Sequence, residues 1–514
     1  MISGRYGKGF TALILVLLLT GCALPVVDHG SPLRRLSPDE ARDTRVGQAV
    51  MTLEAGSSGK TGVYTLTDPL AAFAARVLLI SSAERTLDLQ YYIWQEDTTG
   101  MLLLGQVLDA AERGVRVRML LDDNGIGGLD PLLAAMATHP NVHIRLFNPF
   151  SVRSAKWLNF FTSFSRVNRR MHNKSLTADN MLTILGGRNI GDEYFGATPG
   201  ALFVDLDVLA LGPAVDSVSE QFDHYWTSQS AYPLSSLVGP VGTPERLDFR
   251  ARVKAVRNSD EAEVYLEAVR QERFLDQLLD GELEIIWSEG VLVSDDPDKV
   301  LGKVTDDRLL LAEVGENMWP PGYSLDLVSP YFVPTEAGVA LFRRLEEQGI
   351  EVRILTNSAA ATDVLAVHSG YARHREELLE AGVELYEMKP VGPRQRRRGS
   401  GPGSSLSSSS SLHAKTFAMD GDRVFIGSFN FDPRSHRLNT EMGLILNSPE
   451  LAQRLANVFG PELTLRAYRV ELDEDGDLVW TDSTGEVMTD EPGTDALDRG
   501  MLWFFSVMPI EGLL

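Results

Sequence analysis

Two blocks of the chain share one spacing, His172-x-Lys174-x4-Asp179-x6-Gly186-Gly187-x-Asn189 and His413-x-Lys415-x4-Asp420-x6-Gly427-Ser428-x-Asn430, and stand 241 residues apart. An internal repeat restricts a fold strongly, because each copy must build the same supersecondary unit. With only nine histidines in 514 residues, two such matches in register are not a chance event. The repeat extends outward from these blocks. Leu87-Asp88-Leu89 recurs as Leu325-Asp326-Leu327, and each is followed by an aromatic-rich stretch, Tyr91 to Trp94 and Pro330 to Phe332. A helical pattern comes next, Met101 to Arg113 and Glu336 to Gln348, each stopping near a glycine. Then come alternating strands, Val115 to Leu120 and Ile350 to Leu355, and a second helix and strand. This βαβα order, used twice, predicts an α/β fold. Two repeated units, each a mixed sheet flanked by helices, would be related by a pseudo-twofold. After each His-x-Lys the alternation is that of a strand, and side chains two apart on a strand face the same way. Each unit therefore offers one imidazole and one ammonium, and the pair together would offer two of each to one shared site.

The remaining chain divides around these units. Arg5 and Lys8 precede an apolar run from Phe10 to Leu19, about half the ~20 residues that span a bilayer. That pattern reads as a secretory signal over 1–21. Leu19-Thr20-Gly21-Cys22 resembles a lipoprotein cleavage site, which would make the sole cysteine, Cys22, a lipidation point. Ala23 after it favours the outer over the inner membrane by the sorting rule of such signals. The expected layout continues with a tether over 22–62 and a first unit over 63–233. A charged helical linker subdomain over 234–320, a second unit over 321–465 and an acidic tail with an apolar C-terminus over 466–514 follow. Glu471 to Asp498 carries eleven acidic residues and no basic one, nearly half of the net charge of −23. Glu471 to Asp482 mimics a calcium loop, but the terminal ligands do not match, so an acidic hairpin turn is the reading. So acidic a chain is a poor general binder of nucleic acid.

In the duplicated block the chain resembles the phospholipase D superfamily, over about Leu66 to Phe459. Gly186 to Phe195, Ser428 to Ser435, Leu355 to Ser358, Val367 to Tyr371 and Asn439-Thr-Glu441 look like bacterial cardiolipin synthases of the C type. The resemblance implies a site made of His172, Lys174, Asp179, His413, Lys415 and Asp420. Asn189, Asn430 and Ser428 would bind phosphate, and both aspartates would tie backbone at a turn. The family orients its histidines with an acid. Glu441 lies 28 residues after His413 and Asp207 lies 35 after His172, with Asp205 as the alternative to Asp207. Family precedent makes His172 the nucleophile and His413 the acid/base. No metal or other cofactor is called for, since lysines and amides can hold the phosphate oxygens as charge develops.

The resemblance further implies transfer of a phosphatidyl group to phosphatidylglycerol through a phosphohistidine, with phosphatidylethanolamine as donor. The partners would be phospholipids and a membrane surface, with no nucleic acid, and the chain would be a monomer on the periplasmic side of a bacterial envelope. A hydrolytic phospholipase D is the alternative, and a nuclease or a lipoprotein scaffold a more distant one. Trp157 to Phe164 with Arg153, Lys156, Arg166, Arg169 and Arg170, and the arginine-rich stretch from Arg394 to Ser411, precede the two motifs. Aromatics mixed with cations suit an anionic lipid interface. The apolar Met501 to Phe505 could also sit at one.

Overall fold

The computed structural model describes residues 24–57, 59–196, 204–390 and 412–514. The expected signal, Cys22 and the arginine-rich stretch lie outside the described residues.

The first half contributes β1 (Thr61–Leu66), β2 (Thr86–Ile93), β3 (Arg116–Gly125), β4 (Val142–Phe147), β5 (Ser175–Ala178), β6 (Leu182–Gly186), β7 (Asp207–Leu211) and β8 (Ala231–Pro233). β9 (Ile286–Ser294) follows. The second half adds β10 (Ser324–Val328), β11 (Glu351–Asn357), β12 (Glu384–Met388), β13 (Thr416–Met419), β14 (Arg423–Gly427), β15 (Met442–Asn447), β16 (Ala467–Leu472), β17 (Leu478–Thr481) and β18 (Val487–Met488). Pairing gives the order β7-β6-β5-β2-β3-β4-β8 in the first half. The second half repeats it as β15-β14-β13-β10-β11-β12-β16. In each, the two β-α-β pairings are parallel and the others antiparallel. Even the register repeats: Leu87 pairs with Ala178 where Leu325 pairs with Met419.

The repeated Leu-Asp-Leu has a physical role in this frame. Its aspartate reaches an arginine on the neighbouring parallel strand, Asp88 to Arg118 at 2.7 Å and Asp326 to Arg353 at 2.6 Å. Leucines on either side enter the core. A third apolar cluster mixes residues of both halves, including Val63, Leu185 and Val208 with Leu412, Val424 and Met442, and forms the seam where the two sheets meet.

Three expected boundaries change. The tether over 22–62 is in fact partly folded: helices Pro38–Arg42 and Arg45–Glu54 are capped by Ser37 and Thr44, and Val46, Ala49 and Val50 are buried in the first core. The linker over 234–320 is no separate subdomain. Helices Thr243–Arg257 and Asp260–Gln271 put Phe249, Val253, Ala262 and Tyr265 into the first core. β9 pairs with β1 through its first residues and with β15 through the rest, so it joins the two halves. The tail from 466 extends the second sheet through β16 and β17, and residues 473–477 form the turn of that acidic hairpin.

Candidate active site at the seam

Each motif opens just before its strand, β5 or β13, and there the two halves cross. The His172 backbone N–H donates to the Thr440 carbonyl at 2.8 Å, and the His413 N–H donates to the Val204 carbonyl at 2.8 Å. The residue after each of those carbonyls is an acid. Glu441 Oε2 lies 2.8 Å from His172 Nδ1, and Asp205 Oδ2 lies 2.5 Å from His413 Nδ1. Each imidazole is thus aimed by a carboxylate from the opposite half.

The acid in the first half is therefore Asp205 and not Asp207. Strand register explains the correction. Gly186 faces Asp207 as Gly427 faces Gly443, so Asp207 is the counterpart of a glycine, and the counterpart of Glu441 lies two residues earlier. Asp207 is buried between Arg76 at 2.7 Å and Arg188 at 3.2 Å, a structural ion pair.

The lysines fold back beside the histidines. Lys415 Nζ donates to the His413 carbonyl at 2.5 Å and lies 3.2–3.3 Å from its ring nitrogens, and Lys174 Nζ donates to the His172 carbonyl. Tyrosine rings complete the walls: Tyr92 meets His172 edge-on at 5.1 Å, and Tyr194 meets His413 likewise at 5.1 Å. Burial, aided by both lysines, holds His172 well below the ordinary imidazole range and pushes His413 down to about 3. Burial also lowers both amines, Lys174 strongly. The two acids diverge. Burial pushes Glu441 up to about 7. Burial acts the same way on Asp205, but His413 and Lys415 outweigh it and keep it well below the carboxylate range. A site with two amines and two imidazoles, all disfavoured as cations by desolvation, is built to receive an anion.

The remaining expected residues divide. Ser428 is not free to hold a ligand: its hydroxyl donates to Glu441 Oε2 at 2.5 Å and accepts from the Met442 N–H at 3.0 Å, so it fixes the acid. Ser435 does the same from the other side, donating to Glu441 Oε1 at 2.9 Å. The Asn189 amide spans the Ile93 N–H at 3.2 Å and the Tyr194 hydroxyl at 3.0 Å. Asn430 has a buried Oδ1 with no hydrogen-bond partner among the described residues. Asp179 and Asp420, grouped with the catalytic residues by resemblance, stand at the far ends of β5 and β13. Both adopt left-handed backbone, φ 50° and 56°. Asp179 accepts from the N–H groups of Glu84, Arg85 and Thr86 at 2.8–2.9 Å. Asp420 accepts from those of Gly322, Tyr323 and Ser324 at 2.8–3.2 Å. They tie the strand ends and touch no part of the seam. Sequence reading missed Tyr92, Tyr194 and Ser435; the Tyr91-Tyr92 stretch ahead of a motif was the available signal.

Two repeated α/β units with one His-Lys pair from each, meeting across a pseudo-twofold, define the phospholipase D class of architecture. Comparison with known proteins agrees: residues 77–226 and 321–462 match the family described as "Cardiolipin synthase, PLD-like domain". The chain belongs to that family. Cardiolipin synthase C of Escherichia coli K12 is 46% identical over 475 residues, 91% of this chain and 100% of that protein. Cardiolipin synthase A of Pseudomonas syringae pv. syringae B728a is 25% identical over 396 residues, 76% of this chain and 66% of that one. Among solved structures, phosphatidylserine synthase of Haemophilus influenzae Rd KW20 shares the fold, with a TM-score of 0.54 at 14% identity over 90% of this chain and 100% of that one.

Proposed function

We propose that the protein is a phosphatidyltransferase that makes cardiolipin, transferring a phosphatidyl group from a phospholipid donor to phosphatidylglycerol. The observation that carries this reading is the crosswise pair of carboxylate-held histidines with a lysine beside each. The relative with 46% identity across its whole length is named cardiolipin synthase C.

With Nδ1 held by Glu441, His172 attacks phosphorus through Nε2. The P–N bond forms as the P–O bond to the donor's alcohol breaks, and His413 gives that alkoxide its proton. In the second half-reaction the phosphatidylglycerol hydroxyl passes its proton to His413 and attacks phosphorus, and the P–N bond breaks. Burial keeps both imidazoles neutral before substrate binds; a bound phosphate anion, with Asp205 held as a carboxylate, lets His413 take a proton from solvent and become the acid, while His172 stays a neutral nucleophile. Lys174 and Lys415 stabilise the non-bridging oxygens, and the anion in turn restores their charge. One phosphodiester replaces another, so the exchange needs no nucleotide. Asn430 is assigned to bind a phosphate oxygen through Nδ2 on the resemblance of its motif. Among the described residues no helix is long and apolar enough to cross a membrane. Attachment to the envelope is assigned to lipidation at Cys22, on the sequence pattern around it.

The test is lipid analysis after incubating the protein, without added metal, with vesicles of phosphatidylglycerol and phosphatidylethanolamine. New cardiolipin is expected. Phosphatidate alone would establish hydrolysis instead, and cleavage of DNA with untouched lipids would overturn both readings. Omitting phosphatidylethanolamine identifies the donor. His172→Ala and His413→Ala should each abolish turnover. Cys22→Ser should turn stable membrane attachment into a weaker, reversible one with part of the protein released, and unchanged attachment would count against lipidation.

A further inference from the structure

The segment that precedes the first motif is turned inside out. Its cations, expected to face anionic lipid, point inward instead. Arg153 pairs with Asp123 at 2.5 Å and also with Asp130. Lys156 reaches Asp123 at 3.0 Å, and Arg166 donates to Asn148 Oδ1 and the Pro149 carbonyl at 2.7 Å each. Asn159, 0% exposed, bonds the carbonyls of Val152 and Lys156 at 3.0 Å. The aromatic residues of the same segment face out: Phe161 is 81% exposed, and Trp157, Phe160 and Phe164 are also exposed. Polar groups inside and large aromatics outside is the reverse of an ordinary water-facing surface, and such a patch marks an apolar partner.

A second segment, nearly 350 residues later, repeats the feature. Helix Ala496–Ser506, capped by Asp495, buries Leu502 and exposes Trp503 (68%) and Phe504. One residue bridges the chain just beyond the two segments. Arg434 Nη2 donates to Asn168 Oδ1 and to the Leu513 carbonyl, both at 2.8 Å, and Nη1 donates to the Asn168 carbonyl at 3.0 Å. Arg434 lies four residues after Asn430 of the second motif. The N-terminal end of the described chain arrives nearby. His29 Nδ1 bonds the Ala231 carbonyl at 3.2 Å, and the adjacent Ser230 carbonyl accepts from Asn148, whose amide bonds the Arg166 carbonyl at 2.9 Å. Cys22, the proposed lipidation point, lies seven residues before His29, so an acyl anchor there would enter the bilayer close to the aromatic segment.

We propose that the Trp157–Phe164 segment and the Trp503–Phe504 face together form the surface through which the protein enters the interfacial zone of a phospholipid bilayer, next to the His172–His413 site. The choice of a bilayer over a protein partner rests on the phospholipid reading of that site and on the few residues that separate His29 from the proposed anchor at Cys22. Exposed aromatics whose neighbouring Arg153, Lys156 and Arg166 are engaged inward give attachment that depends on apolar insertion.

The test uses the full-length chain. Cys22→Ser removes its only cysteine, and single cysteines then carry a spin label: Phe161→Cys, Trp503→Cys and, in the acidic turn, Asp475→Cys. With phosphatidylglycerol and phosphatidylethanolamine vesicles, labels at 161 and 503 should collide with oxygen and be shielded from a water-soluble nickel chelate. The label at 475 should remain open to the chelate. If 161 and 503 stay open to the chelate with vesicles present, the proposal falls. If they are equally shielded without vesicles, the occupant is protein and the proposal falls as well. As a second readout, Phe161→Ser with Phe164→Ser should slow turnover on vesicles about tenfold while leaving turnover of a short-chain, monomeric phospholipid unchanged. A parent chain inactive on both substrates would overturn the phosphatidyltransferase reading, and the label measurement would still decide the docking surface.

Discussion

Asp205→Asn and Asp207→Asn differ by two positions and are expected to fail in different ways. The first places an amide against His413 Nδ1 and weakens the imidazolium that the proposed mechanism uses to protonate the leaving alcohol. Turnover per folded molecule should fall at least about a hundredfold. The second leaves Arg76 and Arg188 buried without their shared carboxylate, and breaking a buried pair costs about 3–5 kcal/mol. Its urea midpoint should drop while activity per folded molecule persists. Glu441→Gln tests the other acid. Its folded-state pKa of about 7 stands above the ordinary 4.5. Stability from this group is thus complete below pH 4.5 and is lost as pH rises through 7, a change on the order of 3 kcal/mol. The glutamine variant should lose that slope, visible as a smaller fall in melting temperature between pH 5 and pH 8, and should be slow at both. Lys415→Met should raise the His413 titration from about 3 toward the ordinary 6.5, followed by NMR of the ring proton. The identities of the histidines and lysines were legible in the sequence. The distinction between Asp205 and Asp207 was not, because counting along the chain passes over residues 197–203 and ignores strand register.

At the level of elements, the two turn aspartates make a graded comparison. Asp179 holds three backbone N–H groups in a buried turn, whereas Asp420 holds an equivalent set at the surface. Asp179→Ala should cost roughly 2–4 kcal/mol, and Asp420→Ala less, since water replaces its bonds. Urea unfolding measures both. Strands and helices of the repeat were legible because their periods differ. Helix Arg45–Glu54 also had a signal, Val46, Ala49, Val50 and Leu53 at helical spacing, hidden by the polar and glycine-rich residues around it. β9 was missed because a strand shared between two units has no counterpart in the repeat.

For the whole molecule, the seam requires both halves in one chain. Mixing the His172→Ala and His413→Ala proteins should therefore restore no activity, and the lipid assay would detect any exchange of halves. The inter-half cluster around Val63, Leu412 and Met442 keeps the halves together. The twofold relation was legible from the repeat, while the crosswise pairing of acid and histidine was invisible to it, since a repeat says which residues correspond and not which ones touch.

That crossing also orders events in time. Glu441 follows His172 by 269 residues, and synthesis at about 5–20 residues per second separates them by tens of seconds. During that interval the emerging first half carries a histidine and a lysine but no carboxylate to aim them. Reactivity toward phosphodiesters is thus withheld from every chain that ends before Glu441.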